Sequence, residues 1–207
     1  MTLLLVVLNL ACFLLELAHG SDLTAFLRRW GLVPADVLGS LSSSQSPAVV
    51  VTLLSSTLLH AGWLHLVVNL TYLAVFGGAV EQRLGSARFL VLYVSSGLIG
   101  NLVYLLAQAQ AETPAVGASG AIAGVIAAHL FLSPDSTLGS LAPVLFFRRA
   151  ENMPALVLLL LWVVAQLFSG VASITTSTGI AWWAHIGGFG GGLVMAPLLR
   201  RRQWRGR

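Results

Sequence analysis

Ser119 lies in the stretch Gly117-Ala118-Ser119-Gly120-Ala121-Ile122-Ala123-Gly124. A hydroxyl becomes a nucleophile when a neighbouring base takes its proton. Glycines on both sides leave this oxygen uncovered and let another backbone come close. A serine in a membrane helix more often bonds back to the carbonyl one turn earlier, so the chemistry depends on a base from elsewhere in the chain. His185 is the candidate base. His65 and Asn69 are four residues apart and share one helical face. His60 is five residues before His65, roughly 140° around a helix, so the two histidines do not form an i, i+4 metal pair. No HExxH stretch is present, and Asp22, Asp36 and Asp135 all fall in predicted loops. Zinc and paired-aspartate hydrolysis are therefore disfavoured. What remains is serine chemistry with His185 as base, needing neither metal nor cofactor. With no buried Asp or Glu placed to orient His185, the pair is expected to act without a third member.

The solvent for this chemistry follows from composition. Of 207 residues, 57% are hydrophobic and only 9% charged, with a mean hydropathy of +0.89. So little charge cannot cover a water-soluble surface of this size, which implies a polytopic membrane protein. The net charge of +4 does not point to nucleic acid, because the chain has no Lys and its arginines lie between apolar runs. Cys12 is the one cysteine and sits inside such a run, so no disulfide framework exists.

Six spans are expected, in one domain over residues 1–200 with a short basic tail at 201–207. Met1 to about Ala18 lacks a basic n-region and a clear small-x-small cleavage site, and reads as a retained first helix. Residues 20–59 read as a long, partly structured first loop on the extracytoplasmic side. Its apolar piece, Ala48 to Leu59, is too short to span. The later spans are expected at Gly62–Val80, Phe89–Ala107, Gly117–Leu132, Pro154–Phe168 and Ile180–Leu199. Arg83, Arg88, Arg148, Arg149 and the five arginines from Arg200 onward share one side, nine of eleven in all. That side is expected to be cytoplasmic, in a multi-pass protein of the cell (inner) membrane with its C-terminus inside. The second, fourth and sixth spans then run inward. Their polar residues Ser119, His185, His65 and Asn69 fall at matching depth near the outer end, a placement that is costly unless it serves a site.

Glycine spacing supplies the means of approach. His185, Gly188, Gly192 and Ala196 fall at i, i+3, i+7 and i+11, on one face of the sixth span. Gly120 and Gly124 form a small-xxx-small pair on the fourth, a pattern that lets membrane helices pack backbone to backbone. If these faces meet, Ser119 and His185 come within hydrogen-bonding distance.

Together these residues resemble the rhomboid intramembrane serine proteases. Gly117-Ala118-Ser119-Gly120 resembles the family's GxSG, and His60 through His65 to Asn69 its HxxxxHxxxN. Ala184-His185 with Gly188 and Gly192 resembles its AHxxGxxxG, and Gly77 through Glu81 and Arg83 to Gly85 the end of its second helix. The resemblance implies an all-α bundle of six transmembrane helices acting as an endopeptidase on transmembrane segments of proteins in the lipid bilayer. It implies Ser119 as nucleophile and His185 as general base, with His65, Asn69 and the Ser119 amide as the oxyanion hole. Gly117, Gly120, Gly188 and Gly192 would support the packing. Two positions depart from the family: the Trp-Arg pair of its first loop is Val51-Thr52 here, and the aromatic residue that stacks on the base is Ala123. A non-cleaving relative that binds membrane helices, and a small transporter, are the alternatives.

Overall fold

The computed structural model describes residues 1–42, 48–137, 155–172 and 181–200, mostly helix, turn and loop, with an isolated bridge between Leu32 and Ala115. The Arg148–Arg149 pair, Pro154, Ile180 and the tail 201–207 lie outside the described residues. Helix α1 (Thr2–Ala18) buries Leu5, Asn9, Phe13 and Glu16 along one stripe, and leaves Leu3, Leu4, Val7, Leu14 and Leu15 exposed. A stripe of that kind suits lipid on one side and protein on the other. The chain then bends by 107° at Gly20, whose φ of 51° is easy only for glycine. Short helices α2 (Leu23–Trp30), α3 (Pro34–Ser42) and α4 (Ala48–Ser55) follow, the last continued by a 3-10 turn over Ser56–Leu58.

Helix α5 (Trp63–Leu84) runs four residues beyond its expected end at Val80. A π-helical turn over Leu73–Gly77 lies within it, and the polar Glu81-Gln82-Arg83 still closes helical turns before Gly85, at φ 83°, stops it. Helix α6 (Ser86–Ala107) begins three residues before Phe89. Glu81 joins three helices here: its carboxylate accepts from Thr2 N and Thr2 Oγ1 at 2.8 Å and from Ser86 Oγ at 2.6 Å. Helices α5 and α6 are each long and apolar enough to cross a membrane, and the bent stretch from Thr2 to Trp30 counts as a third crossing if taken as one.

Helix α7 (Ser119–Leu132) is the centre of the molecule. Every residue from Gly120 to His129 is buried, so it is surrounded on all sides. Its 14 residues give a length of about 21 Å, less than the roughly 30 Å of a hydrocarbon core. A helix this short has an end recessed below a membrane surface. Helices α8 (Ala155–Ala172) and α9 (Trp182–Leu199) complete the described elements.

The two glycine faces meet. A Cβ on Gly188 would fall on the carbonyl of Gly120, and one on Gly192 on the backbone of Gly124. The match advances four residues on each helix, so α7 and α9 run parallel. The adjacent face of α9 takes α6: a Cβ on Gly187 would lie 2.6 Å from Val103, and one on Gly191 2.9 Å from Ile99. Helix α9 is therefore clasped between two neighbours at backbone distance, and its first turn is brought against the start of α7.

Candidate functional site

Helix α7 starts at Ser119 rather than Gly117. Gly117 precedes it in the left-handed region, at φ 133°, where a side chain is strained. A Cβ there would also lie 2.8 Å from Cε1 and Nε2 of His65 and 3.5 Å from Ser119 Oγ. The imidazole of His65 and the Ser119 hydroxyl therefore border one small volume, kept open by the glycine. Gly117 is fixed in turn by its N–H, which donates to the Ser56 carbonyl at 2.8 Å. Ser56 and Leu53 are tied to α6 by Asn101, whose Nδ2 reaches Leu53 O at 2.7 Å and Ser56 Oγ at 2.9 Å. These bonds hold the approach to Ser119.

His185, in the first turn of α9, has its Nε2 2.7 Å from Ser119 Oγ. The distance follows from the parallel glycine seam, which sets both residues at one end of their helices. The other ring nitrogen is also engaged: Nδ1 lies 2.6 Å from Gln166 Oε1 on α8. Trp162, one turn before Gln166, faces the imidazole with ring centroids 6.1 Å apart and planes 28° from parallel. Trp182 meets it edge-on at 5.9 Å. The sequence led to an expectation of a Ser–His pair without a third member; in the structure a carboxamide, that of Gln166, lies against the far nitrogen of the imidazole. Sequence reasoning missed Gln166 and Trp162. A signal existed, since Gln166 is an amide within an otherwise apolar span, and such groups are functional candidates by default.

His65, in the first turn of α5, accepts at Nδ1 from the Ala61 N–H at 3.4 Å. That bond assigns the ring proton to Nε2, the nitrogen facing Gly117. Asn69 lies one turn deeper on the same face, 4% exposed, and its Nδ2 has no partner among the described residues. A buried amide with unused donors is uncommon in a purely structural role. His60 stands in the turn before α5, its N–H donating to the Glu16 carboxylate at 3.1 and 3.2 Å. Burial, and secondly the neighbouring His65, push its pKa down to about 4, so it is a neutral ring at physiological pH. Sequence reasoning did not connect Glu16 to this group.

A second contact of the same type occurs at the far end of α7, where His129 Nε2 lies 2.9 Å from Ser136 Oγ. It lines a cavity of about 470 Å³ with Arg83 and Asp135. There the other ring nitrogen, His129 Nδ1, is buried without a partner among the described residues. Among the described residues, the Ser119 group differs in having an imidazole engaged at both nitrogens, with His65 bordering the same small volume as the hydroxyl. A hydroxyl, a neighbouring imidazole and adjacent N–H groups are the parts that acyl transfer requires.

The Rhomboid domain profile matches residues 47–202. The putative rhomboid protease YdcA of Bacillus subtilis (strain 168) is 32% identical over 156 residues, covering 74% of this chain and 69% of that protein. The rhomboid protease GluP of the same organism is 30% identical over 187 residues, 90% of this chain but 32% of its own length. Inactive rhomboid protein 1 of Drosophila melanogaster is 33% identical over 90 residues, 44% of this chain and 6% of that protein. The chain thus spans about two thirds of the first relative and far less of the other two.

Proposed function

Because the chain belongs to the rhomboid family, we propose that it is an intramembrane serine endopeptidase in which Ser119 and His185 cleave transmembrane segments of membrane proteins. The observation that carries this reading is the 2.7 Å contact between Ser119 Oγ and His185 Nε2. His185 takes the Ser119 proton as the oxygen attacks the scissile carbonyl. His65 Nε2–H, Asn69 Nδ2 and the Ser119 amide hold the oxyanion of the tetrahedral intermediate. The imidazolium then gives its proton to the departing amine, leaving an acyl-serine. A water that loses its proton to His185 hydrolyses that ester and returns the serine.

Peptide hydrolysis needs water, so a recessed Ser119 must open to a hydrated space. The arginine distribution makes that opening extracytoplasmic, in a six-span bundle of the inner membrane with residues 20–59 outside and the basic tail inside. The substrate is a helix whose carbonyls are bonded within it. It must unwind locally to be cut, which favours small or helix-breaking residues near its outer end.

The family also contains inactive members by name, so family membership alone does not establish cleavage. A charged, membrane-impermeant fluorophosphonate added to intact cells decides the matter, because only an activated serine reacts. Labelling from outside, lost in Ser119→Ala, is expected. Labelling only after permeabilisation would overturn the orientation, and none under any condition would favour a non-cleaving binder or a transporter.

Asn69 offers a separate measurement. A buried Asn that only bonds a neighbouring helix contributes about 1 kcal/mol. An oxyanion donor strengthens as charge develops in the transition state, and removing one costs about 10²–10³ in turnover. His65 and the Ser119 amide remain, so Asn69→Ala should sit at or below the lower end of that range in kcat, with KM and melting temperature nearly unchanged. Unaltered kcat with a much lower melting temperature would make Asn69 structural.

A further inference from the structure

We infer that Gln166 is a positioning residue for the base: from α8 it holds the Nδ1–H of His185, and so fixes the tautomer and ring orientation that present Nε2 to Ser119. The inference rests on His185 being the base, and deepens that reading by assigning the group that orients it. An imidazole that accepts the serine proton at Nε2 must carry its own proton on Nδ1. The atom 2.6 Å from Nδ1 must then be an acceptor, and it is the carbonyl oxygen of the Gln166 amide. The two short contacts, 2.6 Å on one side of the ring and 2.7 Å on the other, form one directional chain from Ser119 through His185 to Gln166.

The site surrounding Gln166 suits that task. Its side chain is 7% exposed, so water does not compete well for the Nδ1 proton. The second grip on the ring comes from the same face of the same helix, since Trp162 lies one turn before Gln166 and packs against the imidazole. Trp162 and the imidazole lie with their planes 28° from parallel, so one helix supplies both the acceptor and a flat wall for the ring. A carboxylate would hold the proton more strongly, but a charge within an apolar span is costly. The amide gives direction without charge. Gln166 touches neither substrate nor the reacting atoms, and acts through His185.

The test compares Gln166→Met, of similar shape without an acceptor, with Gln166→Glu, which keeps one. Both are made in the full chain and measured in liposomes on a reporter transmembrane substrate, alongside thermal melts and 15N spectra of labelled histidine. Gln166→Met should lower kcat roughly 10–100-fold, a part of what a positioned base contributes, with KM and melting temperature close to wild type. Its His185 signals should move from the Nδ1–H form toward a mixture of tautomers. Gln166→Glu should restore most of the turnover and shift the acid limb of the kcat profile to higher pH, because a carboxylate holds the imidazole proton more firmly. Wild-type kcat in Gln166→Met, an unchanged tautomer, or a loss of kcat that only tracks a lower melting temperature would each overturn the inference. Failure of the wild-type chain to cleave would instead sink the protease reading, while the tautomer spectra would still decide the Gln166 contact.

Discussion

Ser119→Ala is expected to lower kcat by a factor on the order of 10⁴–10⁶ while leaving a folded bundle. Removing the hydroxyl takes away the atom that forms the acyl bond and opens little space, since serine and alanine differ by one oxygen. His185→Ala should cost about as much, because a serine without a base is a weak nucleophile. The pair is predicted to behave as a unit, so the double variant should be no slower than the worse single one. Turnover of a reporter transmembrane substrate by each purified protein checks this. Residual cleavage by Ser119→Ala, free of contaminating protease, would sink the assignment. Losses that multiply in the double variant would mean that the two side chains act separately.

The second large effect is expected in the seam between α7 and α9. A Cβ on Gly188 meets the carbonyl of Gly120, which is backbone and cannot swing aside. Gly188→Val should therefore separate the helices, at a cost of about 3 kcal/mol or more, the upper end for overpacking. The Ser119–His185 contact depends on the same seam, so activity and thermal stability should fall together. Gly190 is the internal control: a Cβ there meets nothing within 4 Å, and Gly190→Ala should match wild type in both assays. Held stability with lost activity in Gly188→Val would give the residue some role other than close packing.

Much of this site was legible in the sequence, for a reason peculiar to membranes. If Arg83, Arg88 and the terminal arginines are read as cytoplasmic, Ser119, His185 and His65 are expected to share one end, because each lies near the start of a span expected to run inward. Glycine at four-residue spacing on two spans then indicated which faces touch. What escaped was rotational. Whether Gln166 faces the base or the lipid depends on how α8 turns about its own axis, and an almost wholly apolar span leaves little asymmetry to read. Helix ends escaped for local reasons. Glu81-Gln82-Arg83 looks like a terminus by polarity, yet Glu81 has partners in Thr2 and Ser86 that let the helix run on. Gly117 looked helical by its apolar surroundings, and instead takes a positive φ that makes room for His65.

The glycine seam has a further consequence, which concerns entropy. When helices already formed in a bilayer come together, the disorder still to be lost lies in their side chains. That loss is about 0.5–1 kcal/mol for each Leu or Ile held at an interface, and nothing for Gly or Ala. At Gly120, Gly124, Gly188 and Gly192 main chain meets main chain, so there are no rotamers to freeze and none to reawaken on warming. The spacing of Ser119 and His185 is then held by covalent geometry along two helices, and its accuracy does not depend on which rotamers the surroundings adopt.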